Sequence, residues 1–178
     1  MNILDKIISN FNNNKSLYIG EKITISNHMI QSAMLAEQKN CKDDFVCSCL
    51  LHDYGHFILE DPETLVKAQT DGKHELVGYK FLKKYFIKDV IEPIKYHVEA
   101  KKYLARDKKY YNLFSEASKI SLKLQGGPMD NEEAKDFEFN EFFEKSIKLR
   151  KFDEIAKKTN FKIKSINEYE NLLTSKLI

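Results

Sequence analysis

All five histidines of this sequence fall into one pattern that reads as a metal site. Its centre is the run His52-Asp53-Tyr54-Gly55-His56. His28 lies upstream, His74 and His97 lie downstream, and Asp153 sits near the end of a late helix. Neutral imidazole is the commonest protein ligand for transition metals, and a carboxylate beside it can bridge two ions. His28, His52, Asp53 and Asp153 suffice for a single ion. His74 and His97 supply nitrogen for a second, and four histidines with two carboxylates fit a dinuclear site with ions roughly 3.5–4 Å apart. Mixed nitrogen and oxygen ligation suits iron or manganese without choosing between them. Each residue alone has a plainer explanation. A histidine on an apolar helix face, such as His28 or His97, is more often a hydrogen-bonded core residue, and His-Asp pairs arise by chance. Jointly, these positions point to the dinuclear site.

The elements that must position these groups read as helices. Runs of period 3.6 dominate, with six glycines and three prolines in the whole chain and no convincing alternating strand or internal repeat. The spacing predicts an all-α chain. A first helix covers about 3–10 and is broken by Asn12-Asn13-Asn14. A second covers 25–39, capped by Thr24, with His28 on its apolar stripe. A third, 45–51, is capped by Asp43 or Asp44 and delivers His52 and Asp53 at its end, with Gly55 in the following turn. The stretch 57–72 reads as a loop. Helical pattern resumes over 74–85, and again from Lys88 or Asp89 with Pro93 early in it. His97 and Lys101 there share an inner face at i and i+4. Further helices are predicted over 115–124, stopped at Gln125-Gly126-Gly127-Pro128, and over 139–150. In the latter Phe139, Phe142, Phe143 and Ile147 form a stripe that Arg150 and Asp153 continue. The tail from Lys157 is basic, then weakly helical.

At 178 residues the chain is long enough for one full domain and short for two. Its 29 basic residues are interspersed with 27 acidic ones for a net charge of +2, which does not favour nucleic acid as a partner. The N-terminus lacks the features of a signal peptide, and no apolar run approaches a membrane span. The expectation is a cytoplasmic protein, monomeric or weakly homo-oligomeric. Cys41, Cys47 and Cys49 form no paired framework or zinc knuckle, and Cys47 and Cys49 read as small core residues.

Longer blocks carry a resemblance. They are Tyr18-Ile19-Gly20-Glu21, then Leu50-Leu51-His52-Asp53-Tyr54-Gly55-His56, His74-Glu75 and His97-Val98-Glu99-Ala100-Lys101-Lys102-Tyr103-Leu104. Ser115-Glu116-Ala117-Ser118, Gln125-Gly126-Gly127-Pro128-Met129 and Arg150-Lys151-Phe152-Asp153 follow. Over about 18–153 the chain resembles the HD superfamily, and within it the mixed-valent di-iron oxygenases that cleave carbon–phosphorus bonds. The HD dipeptide is generic; the Tyr-Ile-Gly-Glu, His-Val-x-Ala-Lys and Gln-Gly-Gly-Pro-Met blocks are far more specific.

The resemblance implies a compact helical bundle, one HD domain spanning 1–178, with the metal-site core at about 18–153 and a helical tail at 154–178. It implies two irons, Fe(II) and Fe(III), held by His28, His52, Asp53, His74, His97 and Asp153, with Asp53 bridging and O₂ as co-substrate. Tyr18 would occupy an iron position until substrate binds, and Glu21 would take the substrate's ammonium end. His56, Lys101, Ser118 and Arg150 would surround the phosphonate. Tyr18, Glu21 and His56 would thus act nearest the reaction. The implied reaction converts a 1-hydroxy-2-aminoethylphosphonate-type organophosphonate to glycine or an N-methylated glycine and inorganic phosphate. A trimethylammonium head would call for aromatic faces and an acid, for which Tyr18, Tyr54 and Glu21 are available. The main alternative is phosphoester hydrolysis by water on the same metals. A non-catalytic metal-stabilised domain, or an oxygenase acting on a polyol, stands further off.

Overall fold

A computed structural model describes residues 2–18, 21–59 and 71–178. Those residues form ten α-helices, two 3₁₀ turns and two isolated antiparallel bridges, Leu17 with Thr24 and Phe86 with Leu177. The all-α reading holds. The helices are α1 Ile3–Asn13, α2 Ile25–Gln38, α3 Asp43–Leu51, α4 His74–Leu82, α5 Lys88–Leu104, α6 Lys108–Tyr111, α7 Glu116–Leu124, α8 Asn131–Glu138, α9 Phe143–Ile155 and α10 Glu170–Ser175.

Five helices bear the architecture. α5 packs along α9, α4 and α3, while α2 packs on α3 and α9. Their shared core includes Met29 and Ala33 of α2, Cys47, Cys49 and Leu50 of α3, Ile94 of α5 and Leu149 of α9. Cys47 and Cys49 are therefore core residues, and burial pushes both thiols up. Thr24 caps α2 by accepting from the Asn27 amide. Asp43 and Asp44 are not caps; they lie in the first turn of α3, where carboxylates favour the helix dipole, and Lys42 holds the cap position. Pro93 sits inside α5, and the Ser48 hydroxyl donates to the Val90 carbonyl in the same turn, at 2.9 Å.

Four expectations about elements need correction. α1 runs three residues further than its apolar pattern, ending at the extended Asn14. α4 stops at Leu82 rather than at Tyr85. The helix expected over 139–150 begins only at Phe143 and runs on to Ile155, while α8, Asn131–Glu138, precedes it as a separate helix that was not predicted. Phe139 is 90% exposed and belongs to no core stripe. The short α6 lacks buried residues, so periodicity could not signal it. Most of the expected 57–72 loop, residues 60–70, lies outside the described residues, as do Ile19 and Gly20. No helix among the described residues is long and apolar enough to cross a membrane.

Candidate metal centre

Five elements deliver the six expected ligands. α2 carries His28, the end of α3 presents His52 and then Asp53, α4 begins at His74, α5 carries His97, and α9 carries Asp153. The side chains gather as two trios, His28 with His52 and Asp153, and Asp53 with His74 and His97; within each, the donor atoms lie within 4.8 Å of one another. Asp53 faces both trios. Its Oδ2 lies 3.5 Å from His28 Nε2 and 3.4 Å from His52 Nε2, while Oδ1 lies 3.2 Å from His74 Nε2 and 3.5 Å from His97 Nε2. Asp153 Oδ1 lies 3.1 Å from His28 Nε2.

The backbone fixes which nitrogen of each ring faces inward. His28 Nδ1 lies 2.9 Å from the Ala156 carbonyl, His52 Nδ1 2.9 Å from that of Cys49, and His97 Nδ1 2.7 Å from that of Ile94. Each Nδ1 is thereby assigned the proton, and each Nε2 presents a lone pair, the arrangement that orients metal-bound imidazoles. The result is two facing nitrogen pairs, His28 Nε2 to His52 Nε2 and His74 Nε2 to His97 Nε2, each at 3.1 Å. Burial lowers His52, but the Asp53 charge overrides it and lifts the ring to about 9, so a proton can relieve the first pair. Burial drives His74 down to about 3, which denies its ring a proton at neutral pH. Both oxygens of Asp53 and Oδ1 of Asp153 are buried without a hydrogen-bond partner among the described residues. Buried charged oxygens and opposed lone pairs without donors are costly. A nitrogen and carboxylate donor set of this kind is satisfied by first-row metal cations.

Beside Asp153 lies a second layer of charge. Arg150, on the same face of α9, pairs with Asp153 and Glu154, and its Nη2 donates to Ser118 Oγ at 3.1 Å. Burial would raise the Asp153 carboxyl, but the Arg150 guanidinium leads the groups that hold it well below the usual range. Lys101 is buried one turn beyond His97, where its Nζ donates to Ser121 Oγ at 2.9 Å. Burial first, then the Arg150 charge, lower it to about 7. His56 makes no hydrogen bond to this cluster among the described residues; its ring stacks on His74 at 4.2 Å and meets Tyr18 edge-on at 6.2 Å. Tyr18 also lies against His28, with ring centroids 4.7 Å apart. Glu21 follows on the same loop, its amide bonded to the Tyr18 carbonyl.

Tyr54 departs from expectation. It is fully buried, its ring packs on Phe57 and Phe81, and its hydroxyl accepts from the Asn10 amide at 2.8 Å. It is a core residue, not an aromatic face offered to a ligand. Three residues escaped the sequence reading. Glu154 follows Arg150 by four residues on α9, a helical signal that was present, whereas Lys157 lies just beyond the end of that helix. Glu75 is buried beside His74, with 3.7 Å between Oε2 and Nδ1, and burial raises its carboxyl.

Comparison with known proteins agrees with this arrangement. The family model described as "HD domain" matches residues 25–137. The [1-hydroxy-2-(trimethylamino)ethyl]phosphonate dioxygenase (glycine-betaine-forming) of Leisingera caerulea is 41% identical over 144 residues, covering 80% of this chain and 74% of that one. The hydroxymethylphosphonate dioxygenase of Gimesia maris is 37% identical over 161 residues, covering 89% and 80%. An uncharacterized protein of Acanthamoeba polyphaga mimivirus is 37% identical over 184 residues, covering 97% and 84%. The chain belongs to the HD-domain family, in the part of it that holds these phosphonate dioxygenases.

Proposed function

We propose that this protein is a di-iron oxygenase that uses O₂ to cleave the carbon–phosphorus bond of a hydroxyphosphonate. The observation that carries the reading is the pair of metal-fitting trios sharing Asp53, with Arg150 and Lys101 buried beside them as anion partners. His28, His52 and Asp153 would hold one ion, His74 and His97 the other, and Asp53 would bridge. Bound iron would polarise the substrate's hydroxyl and phosphonate oxygens and would relay to O₂ the electrons that the substrate gives up.

The chain's own groups do the rest. Arg150, Lys101 and Ser118 would hold the phosphonate by charge-assisted hydrogen bonds, and their burial strengthens each one. His56, stacked on His74, would border the same space. Tyr18 would cover His28 and keep water from that side, while Glu21 would meet the end of the substrate away from phosphorus. The two named relatives differ at that end, since one acts on a trimethylamino compound and the other on hydroxymethylphosphonate.

The overall balance for the simplest substrate is hydroxymethylphosphonate plus O₂ giving formate, inorganic phosphate and a proton. The test is phosphate release from hydroxyphosphonates after anaerobic loading with ferrous iron. The reading expects one O₂ consumed per phosphate and no release without O₂. Phosphoester hydrolysis would use the same two trios and needs no O₂, so anaerobic turnover of phosphate esters would establish that reading instead.

A further inference from the structure

We propose that Lys157 is a further anion-binding residue of this site, and that its ammonium exchanges Glu21 for the substrate's phosphonate. The proposal rests on the reading of the pocket as a phosphonate site and extends it to a residue just beyond α9.

The Lys157 side chain is only 8% exposed. Its Nζ donates to Ser118 Oγ at 3.0 Å and to Ser115 Oγ at 3.3 Å. Arg150 donates to that same Ser118 Oγ, so two cations converge on one hydroxyl. Ser118 Oγ gives its own proton to Glu154 Oε2 at 3.0 Å. The two carboxylates nearest the ammonium, Glu21 Oε1 and Glu154 Oε2, both stand 3.8 Å away. A charge-assisted N–H···O bond is nearer 2.7–2.9 Å, so neither carboxylate saturates this buried charge. Tyr18 lies below it, with Nζ 5.2 Å from the ring centroid.

The two carboxylates are not equivalent. Glu154 is already engaged by Arg150 and Ser118. Glu21 Oε1 is buried without a hydrogen-bond partner among the described residues, and 3.8 Å separates it from the ammonium. Glu21 is therefore the partner that can leave. A phosphonate has three oxygens and up to two charges, and in a desolvated pocket it competes well against one carboxylate at 3.8 Å. Its arrival beside Ser118 would draw Lys157 away from Glu21 and free that carboxylate for the other end of the substrate. Capture of the phosphonate would then be what readies the head-group site, whichever head the substrate carries.

The test uses inorganic phosphate as the probe, titrated calorimetrically into the iron-loaded protein without O₂, after metal content has been measured for each variant. Lys157→Gln should weaken phosphate binding by roughly tenfold or more, and Lys157→Arg should restore most of it. Glu21→Gln removes the competing anion, so it should tighten binding severalfold while Lys157 is present and do so much less in a Lys157→Gln background. Equal affinity of wild type and Lys157→Gln would overturn the proposal and leave the phosphonate pocket standing. An equal effect of Glu21→Gln in both backgrounds would overturn the exchange. Should Lys157→Gln lose its metals, the Glu21→Gln arm decides, since no gain in affinity there defeats the exchange. Absence of phosphate binding by the wild type would take down the pocket reading and this proposal together.

Discussion

Arg150 holds the charge balance of the pocket, and its two carboxylate partners make it unlike Lys101. With 2% exposure it is committed to Asp153 and Glu154, and its guanidinium lies 5.1 Å from the Phe114 ring. Lys101 has one neutral partner, Ser121. Removing them should therefore have different consequences. Arg150→Ala strands two buried carboxylates, so it should cost about 3–5 kcal/mol of stability and loosen metal retention through Asp153. Lys101→Ala should leave metal content and folding nearly intact and raise KM, by roughly 1.5–3 kcal/mol of lost phosphonate binding. Metal analysis, denaturant titration and initial rates on each variant separate these outcomes. Loss of metal in Lys101→Ala would sink its assignment as an anion partner. Residue types alone pointed to the six donors and to Arg150 and Lys101, because histidine beside aspartate and cations at helical spacing from a donor are informative. Glu154 had helical spacing from Arg150 in its favour, but Lys157 stayed hidden for a physical reason. Most lysines and glutamates are solvated, and the basic tail after α9 gave no sign that its first lysine turns inward.

Between elements, the tightest tolerance is the crossing of the Tyr54–Phe57 turn with α4. A β-carbon on Gly55 would fall 1.9 Å from the His74 carbonyl oxygen and 2.9 Å from the Gly78 amide nitrogen. Both are backbone atoms of the helix that begins at His74, so no side chain can move aside. Gly55→Ala should lower stability by about 1–3 kcal/mol, as overpacking does. It should also displace His74, and on the proposed two-ion site the metal-to-protein ratio should fall from two toward one. A variant that keeps both ions would show that α4 shifts without disturbing its first residue. A second junction is electrostatic. Lys145 of α9 pairs with Asp44 of α3, at 3.0 Å, and with Asp89 of α5. Burial opposes ionisation of Asp44, yet the Lys145 hydrogen bond leaves its carboxyl below the usual 3.8. The folded state therefore gives up this proton at lower pH than the unfolded chain does. Its contribution is complete above the ordinary value and fades as pH falls through the lowered one. Lys145→Ala should cost up to about 1 kcal/mol near neutrality, less in high salt, and the difference should vanish in acid melts. A cost that persists unchanged in acid would mean the loss is packing. α2 and α5 were legible from periodicity, and α3 from an unbroken run of buried residues, Phe45 to Leu51, behind its two aspartates. α8 was not, because Ala134 and Phe137 are its only buried residues, although the capping box from Asp130 to Glu133 marks its start.

Across the whole molecule, the tail closes the bundle. Ile166, Tyr169 and Leu173 are buried in the core shared by α1, α2 and α3, and the Tyr169 hydroxyl donates to Glu37 of α2 at 3.0 Å. The last residues reach the α4–α5 junction, where the Ile178 amide donates to the Tyr85 carbonyl at 2.9 Å and the Ile87 amide to that of Lys176 at 3.1 Å. Weak helical pattern in this region was visible in the sequence, but its partners were not, since contacts between residues so far apart in the chain leave no local trace. The tail supports the helices that carry His74 and His97 without supplying a donor to either trio. Core support and metal binding should then act as separable terms. Leu173→Ala should destabilise the metal-free protein by about 2–5 kcal/mol, as cavity-forming substitutions do. A metal ion that binds the folded site more tightly than the unfolded chain raises the melting temperature through mass action. For Leu173→Ala that upward shift should match the wild type's, because the site is intact whenever the chain is folded. For His97→Ala the metal-free protein should melt close to the wild type while the shift shrinks, because one trio has lost a donor. Thermal melts of both variants, with and without ferrous iron under argon, measure the two terms. If Leu173→Ala loses the metal-dependent shift while remaining folded, the tail acts on the site itself rather than on the bundle that carries it.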